Sequence, residues 1–222
     1  MSIGSELMSG RTINTNAAYL ARRLQACGIP CRQHLAVPDE REAIITAIQA
    51  ARGQAGLIVL TGGLGPTFDD ITVEAIACAV ERPLIVSASA AAGVRRFYRQ
   101  HHRRLHRLAL RQADLPRGAV ALPNPIGTAP GIWLPIDDSL LVALPGVPRE
   151  MQAIFDASVV PRLRRTTRAP IRSRTVRTVG VVELQIQLLL KRIAIPRAMS
   201  VGLYPNLMSV DVHATVDGVA PR

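Results

Sequence analysis

Lysine is almost missing from this chain of 222 residues: Lys191 is the only one, so arginine supplies nearly all of the positive charge. Acidic residues are also scarce, 16 against 27 basic ones, which leaves a formal net charge of +11. That excess suits an anionic partner, and it equally suits a composition that simply favours arginine. Aromatic side chains make up 3% of the chain, too few for a single-strand binder built on stacked bases. Nucleic acid is therefore not an expected partner, whereas a small anionic ligand is. No apolar run approaches the roughly 20 residues that cross a bilayer, and no membrane partner is expected. Met1–Glu6 has neither the basic nor the apolar region of an export signal. Cys27, Cys31 and Cys78 are too few and odd in number for a disulfide framework. They read as buried, reduced thiols in a cytoplasmic protein, and Cys27-x-x-x-Cys31 alone is a weak metal signal.

Nucleophile motifs are missing as well. There is no Gly-x-Ser-x-Gly elbow and no Walker lysine after a glycine loop. Phosphoryl chemistry here would have to be metal-assisted attack by water or a hydroxyl group.

What is present is organised around Gly56–Thr72. Leu57–Leu60 is a short apolar run of the kind that forms a strand buried on both faces. Gly62, Gly63 and Gly65 follow, then Pro66. Ile71, Ala75, Ile76 and Ala79 recur at helical spacing, which predicts a helix from about Asp70. Strand, glycine turn and helix aim backbone N–H groups at one point and create an anion site, for phosphate above all. Two carboxylates at that point, Asp69 and Asp70, call for a metal ion between them and a phosphate.

On either side, strands and helices alternate. A helix is expected over about Asn14–Cys27, with Ala17, Leu20, Ala21 and Leu24 on its apolar face. A poor strand is expected over Cys31–Val37, and a second helix after Pro38-Asp39-Glu40. Pro83 and Leu84–Val86 read as a connection. A long helix is predicted over Ala90–Gln112, with a solvated outer face of Arg95, Arg96, Arg99, Arg103, Arg104 and Arg107. On it, His102 and His106 lie one turn apart, without the glutamate of a metalloprotease motif. Pro123–Gly131 and Pro145–Met151 are loops rich in proline and glycine that leave strand ends. They meet the glycine turn at the edge where open α/β sheets bind ligands. From Pro161 to Arg174 the chain reads as a basic linker, and beyond it lies a small unit with little core. The expected architecture is a three-layer α/β/α fold with a mainly parallel sheet over 1–165. A basic linker and a small α+β subdomain follow over 166–222.

Four carboxylates stand near predicted strand ends: Glu6, Asp39, Asp69 and Asp70. Each has a plain structural reading. Thr67 and Asp70 have capping-box spacing, Asp69 suits a helix N-terminus, Asp39 could cap the second helix, and Glu6 could be a solvated loop residue. Together they are also the usual means of holding Mg²⁺ against phosphate, with one carboxylate left to orient or deprotonate water.

Four ordered motifs carry a family resemblance. They are Gly4-x-Glu6-Leu7-x-x-Gly10-x-x-x-x-Thr15-Asn16; Thr61-Gly62-Gly63-Leu64-Gly65-Pro66-Thr67-x-Asp69-Asp70; Pro123-Asn124-Pro125-x-Gly127-Thr128-Ala129-Pro130-Gly131; and Leu144-Pro145-Gly146-Val147-Pro148-x-Glu150-Met151. Over about residues 1–160 the chain resembles the N-terminal domain of the competence/damage-inducible CinA family, within the molybdopterin-binding MogA/MoaB superfamily. The resemblance implies a MogA/MoaB-like fold and a homo-oligomer. In the CinA branch it implies metal-dependent hydrolysis of a nucleotide pyrophosphate such as ADP-ribose; in the MogA branch, binding and adenylylation of molybdopterin. Two aspartates important in the superfamily match Asp39 and Asp70, and Asp69 joins them as a catalytic candidate. Glu6, Asp69 and Asp70 are the expected ligands of a divalent metal, Mg²⁺ first. Thr61, Gly62, Gly63, Gly65, Thr67, Asn124, Gly127, Thr128, Gly146 and Glu150 are expected to bind phosphate and nucleotide. The departures are a first strand that is short for the family, Ser5 where Asp or Thr is usual, and Leu184 where Ser is usual. The segment that carries nicotinamide mononucleotide deamidase activity in full-length relatives has no counterpart here, so that activity is not expected.

Overall fold

The computed structural model describes residues 1–165 and 171–216. Arg168 of the expected linker lies outside the described residues, as does everything from 217 onward. Two compact units are distinguished, Met1–Leu20 with Arg32–Arg162, and Ala21–Cys31 with Leu163–Arg222.

In the larger unit, β1 (Ser2–Ile3) leads into the short α1 (Ser5–Met8) and then the start of α2 (Thr15–Ala26). β2 (Ala36–Val37), α3 (Arg41–Ala51), β3 (Leu57–Thr61) and α4 (Thr72–Ala79) follow. β4 (Leu84–Val86), α5 (Ala88–Gln100), a 3₁₀ turn at Arg107–Ala113 and β5 (Asp114–Pro116) make an excursion that closes as an antiparallel ribbon, β4 against β5. β6 (Val120–Leu122), β7 (Gly131–Ile136) and β8 (Ser139–Leu144) complete the main sheet. α6 (Pro148–Ile154) then runs through a π-helical turn, Phe155–Val159, into α7 (Val160–Leu163).

The six-stranded sheet has the order β2-β1-β3-β8-β7-β6. β2, β1, β3 and β8 are parallel, in register from Ile3 opposite Val37 to Thr61 opposite Leu144. β7 is antiparallel to both its neighbours, so β6 runs with the parallel set. The carboxyl ends of five strands, at Ile3, Val37, Thr61, Leu122 and Leu144, therefore lie along one edge.

The sequence explains why this sheet is buried. In β3, Ile58 and Leu60 are buried and Leu57 and Val59 half-buried, as an apolar run between helical layers requires. Ile44 and Ile48 on α3, Ile76 on α4, and Leu134 and Leu141 on β7 and β8 are fully buried, each contributing about 1.5–3 kcal/mol of transfer free energy. Arg52, at the end of α3, donates to the Ala79 carbonyl (2.8 Å) and to the Asp137 carboxylate (2.7 Å), joining three elements. That bond and the guanidinium charge hold the Asp137 carboxyl below its usual range.

The smaller unit contains β9 (Arg172–Val179), α8 (Glu183–Leu190), β10 (Met199–Pro205) and β11 (Ser209–Val216), in an antiparallel sheet of order β10-β11-β9. Ile186 and Val210 are buried, whereas Leu184, Leu188 and Leu189 are exposed. Among the described residues, no helix is long and apolar enough to cross a membrane.

Several sequence expectations are corrected. The helix predicted over Ala90–Gln112 stops at Gln100, and 101–106 is irregular, with His102 at φ 51°. His102 and His106 therefore do not share a helix face. Leu84–Val86 is a strand rather than a plain connection, and the strand expected over Cys31–Val37 shrinks to Ala36–Val37. Arg32, Gln33 and His34 are exposed, so nothing apolar drives that segment into the sheet. Of the three thiols only Cys27 is buried; Cys31 and Cys78 are exposed.

Candidate functional site

The glycine turn follows directly from β3. Gly62 donates its N–H to the Leu144 carbonyl (3.0 Å), tying the turn to the end of β8. Gly62 sits at φ 107° and Gly63 at φ 66°, conformations that glycine alone adopts cheaply. A side chain at Gly62 would overlap the Ile3 carbonyl oxygen, and one at Gly63 the Thr72 hydroxyl. Thr72, the first residue of α4, returns a hydrogen bond from its hydroxyl to the Gly62 carbonyl (2.9 Å) and one from its N–H to the Gly63 carbonyl (3.2 Å). The carbonyls of Gly62 and Gly63 are thus paired. Among the described residues, the N–H groups of Gly63, Leu64 and Gly65 have no acceptor, although Leu64 is buried and both glycines half-buried.

Carboxylates pack on bare backbone around this turn. The Glu6 carboxylate lies where a side chain on Gly4 would be, Asp70 where one on Gly65 would be, and Glu150 where one on Gly127 would be. Each glycine is therefore the space that its carboxylate occupies.

The local bonds decide between the readings open in the sequence. Asp70 accepts from the Thr67 N–H (2.9 Å) and the Thr67 hydroxyl. α4 begins only at Thr72, and Ile71 before it supplies no side-chain cap. Asp70 thus closes the Thr67–Asp70 turn instead of capping the helix. The Thr67 hydroxyl holds the exposed Asp69 carboxyl below its usual range, with a smaller share from Asp69's own N–H. One hydroxyl proton faces two carboxylates, and the bond to Asp70 is the one formed. Asp39 does not cap α3 either, because Glu40 holds that position without a side-chain bond. Instead the Asp39 carboxylate accepts the Ser5 N–H (2.8 Å), and the Asp39 N–H donates to the Ser5 hydroxyl (3.2 Å). This reciprocal clamp joins the start of α1 to the loop after β2.

Asn124 organises the Pro123–Gly131 loop. Its amide donates to Ala129 O (2.9 Å) and Glu150 Oε2 (2.6 Å), and its carbonyl accepts from Ile126 (3.1 Å) and Gly127 (2.9 Å). All four of its bonding positions are occupied within the protein. Thr61 is buried, its hydroxyl 3.4 Å from that of Ser2. Thr128 is half-buried and Gly146 exposed, the latter opposite Gly62.

One residue was missed by the sequence reading. Asn16 is buried, donates its amide to the Gly146 carbonyl (2.8 Å) and leaves Oδ1 without a partner among the described residues. The signal was available: Asn16 precedes Leu20 and Leu24 at spacings of four, placing a polar side chain on the apolar stripe of α2.

Among the described residues, no three His, Cys, Asp or Glu side chains are grouped to hold a metal, so Glu6, Asp69 and Asp70 are not gathered into one. Glu6 lies on α1, whereas Asp69 and Asp70 adjoin on the loop between β3 and α4. Their hard oxygens still fit Mg²⁺, which takes one or two carboxylates and completes its shell with phosphate oxygens and water. A surface cavity of about 590 Å³ lies elsewhere, lined by Arg41, Glu74, Cys78 and Arg82 among others.

Residues 1–165 match the family model described as a probable molybdopterin binding domain. A CinA-like protein of Deinococcus deserti is 37% identical over 223 residues, covering 100% of this chain and 55% of its own. The crystal structure of the protein CinA from Thermoplasma acidophilum, described as of unknown function, superimposes with TM-score 0.67 at 34% identity, over 73% of this chain and 94% of that one. A MogA structure, 18% identical with TM-score 0.50, covers 75% of this chain and 96% of its own, and shares the fold. The chain spans about half the length of several of the curated relatives it matches.

Proposed function

Because the chain belongs to the molybdopterin-binding domain family, and within it to the CinA-like proteins, we propose that its strand-edge site hydrolyses a nucleotide pyrophosphate such as ADP-ribose with a divalent metal. The observation that carries this reading is the glycine turn: the consecutive N–H groups of Gly63, Leu64 and Gly65 lack acceptors. A buried donor left unpaired costs about 1–3 kcal/mol, and a phosphate oxygen relieves that cost. Such a row of amides on a tight turn is an anion nest.

The remaining roles follow from charge. Glu6, on α1 just after β1, and Asp39 and Asp70, on the loops after β2 and β3, follow neighbouring strand ends, where they would hold the metal and orient water. A divalent cation supplies neutralisation of the pyrophosphate and a more acidic bound water. Asp39 is fixed by Ser5, and Asp70 by Thr67. Each therefore offers a second carboxylate oxygen at a constrained position. Self-association belongs to the same proposal and is read by sedimentation velocity.

The test is a metal-by-substrate panel over ADP-ribose, FAD, NAD and dinucleoside polyphosphates, following release of AMP. Chelation should abolish turnover, and Asp70→Asn should lower kcat by about 10²-fold or more. Undiminished Asp70→Asn activity would remove that residue from the mechanism. Tight binding of molybdopterin with no AMP released under any divalent metal would reassign the site to ligand carriage.

A further inference from the structure

The segment Arg95–Arg111 holds seven arginines, three histidines and no carboxylate. The sequence suggests one long helix with a solvated face there, but the structure divides the segment. Arg95, Arg96 and Arg99 ride the last turns of α5, and Arg103, Arg104 and Arg107 follow on the irregular stretch and at the start of the 3₁₀ turn. All seven arginines are exposed, as are His101, His102 and His106.

Two simpler explanations fall short. A general arginine bias leaves many arginines beside carboxylates, as where Arg41 meets Glu42, Arg52 meets Asp137 and Arg177 meets Asp211, and Arg162–Arg174 is a second run without a carboxylate. Within the segment only Arg111 is so paired, to Glu74 at 2.9 Å. Among the described residues, the other six arginines make no ion pair. Stabilisation of the α5 C-terminus by its dipole accounts for cations in the last turn only, so for Arg99 and His101 but not for Arg103, Arg104 or Arg107. Six unpaired like charges within 13 residues repel one another, and that repulsion is relieved by a counter-charge of matching density.

We propose that this surface binds the phosphate backbone of double-stranded nucleic acid without sequence preference. A duplex carries one negative charge per about 1.7 Å of axis, a density that an isolated nucleotide or a carboxylate side chain does not offer. Arginine is the side chain suited to phosphate by its planar fork of donors. The duplex is favoured over a single strand because both aromatics of the segment, Phe97 and Tyr98, are half-buried, and Phe97 is already stacked on His101 (4.1 Å between centroids). Neither ring stands exposed for unpaired bases. This proposal is independent of the hydrolytic reading, and its test involves no turnover.

The probe is a fluorescein-labelled duplex of about 20 base pairs and arbitrary sequence, titrated by anisotropy across a salt series with the full chain. The wild type should bind with a steep negative slope of log K against log salt. The triple variant Arg99→Gln/Arg103→Gln/Arg104→Gln should flatten that slope by about 2.7, which is about 3.5 orders of magnitude in affinity near 50 mM salt if binding at 1 M is unchanged. A charge-matched control, Arg172→Gln/Arg174→Gln/Lys191→Gln, should keep the wild-type slope. The proposal is overturned by no duplex binding at low salt, or by a control that weakens binding as much as the triple variant. Tighter binding of the corresponding single strand also overturns it, as does capture by phosphatidylserine vesicles in place of the duplex.

Discussion

A three-variant alanine series tests whether the approach of Gly62 to β1 is a rigid feature of the site. At Gly56 the backbone is not left-handed and no atom lies within 4 Å of an added Cβ. Gly56→Ala should therefore be neutral or stabilise by about 0.4–1 kcal/mol through the unfolded chain. At Gly53 the space is equally open but φ is +75°, so alanine should cost about 1–2 kcal/mol of backbone strain alone. At Gly62 both obstacles combine: φ is +107°, and the added Cβ would overlap the Ile3 carbonyl oxygen and stand 3.2 Å from its carbon. The neighbour is backbone, in a strand only two residues long that is paired on both sides, so it cannot swing away as a side chain would. Strain of about 1–3 kcal/mol and overpacking of a similar size put Gly62→Ala at about 2–6 kcal/mol. Gly146→Ala is the control within the site, because its Cβ would meet Gly62 at an ordinary 3.4 Å. Trp133, the only tryptophan, lies on β7 of the same sheet, so its fluorescence follows urea unfolding of this unit. If Gly62→Ala has the same midpoint as Gly53→Ala, then β1 yields freely and the rigid approach is wrong.

The other predictions concern the side chains that brace the loops. Asn124→Ala removes four hydrogen bonds and leaves Glu150 Oε2 without its amide partner. It should destabilise by about 2–4 kcal/mol and open Pro123–Gly131 to limited proteolysis before the rest of the sheet. Asn16→Ala loses the bond to Gly146 but also removes an unpaired buried acceptor. These offset, so stability should change by no more than about 1 kcal/mol while binding of ADP-ribose by calorimetry weakens. Asp137 has a lowered carboxyl pKa through Arg52, so its contribution is complete above the unfolded value of about 4. It is lost as pH falls through the lower folded value. Urea midpoints of wild type and Asp137→Asn should differ near neutral pH and converge as pH falls below the lowered folded value; a gap that persists in acid would refute the ion pair as its source.

Much of the fold was legible because its signals are local. Leu57–Leu60, the glycines after it and the period of Ile71, Ala75, Ile76 and Ala79 lie within 25 residues, and strand, turn and helix form where they indicate. The failure at Ala90–Gln112 has the opposite cause. No glycine or proline marks a stop near Gln100, and Leu105 and Leu108 continue the helical period. What ends α5 is distant: Ala109, Gln112 and Ala113 are buried in a 3₁₀ turn that delivers Asp114–Pro116 to pair with Leu84–Val86. A single sequence does not announce that pairing, and it overrides propensity.

The candidate site divides in the same way. Residue types and loops were readable from four motifs, yet what each carboxylate touches was not, since Ser5 is 34 residues from Asp39 and Asn124 is 26 from Glu150. The structure adds a rule that links the two levels. Gly4 and Glu6 come from one motif and Gly65 and Asp70 from another, while Gly127 comes from the Pro123–Gly131 loop and Glu150 from α6. In each pair the glycine leaves the volume its carboxylate fills. Alanine at Gly4, Gly65 or Gly127 would therefore displace an acid rather than strain a turn: none of the three has the positive φ of Gly62. Gly65→Ala and Asp70→Asn should then impair the site in one shared way. A double variant no worse than the single ones would identify glycine and carboxylate as one unit.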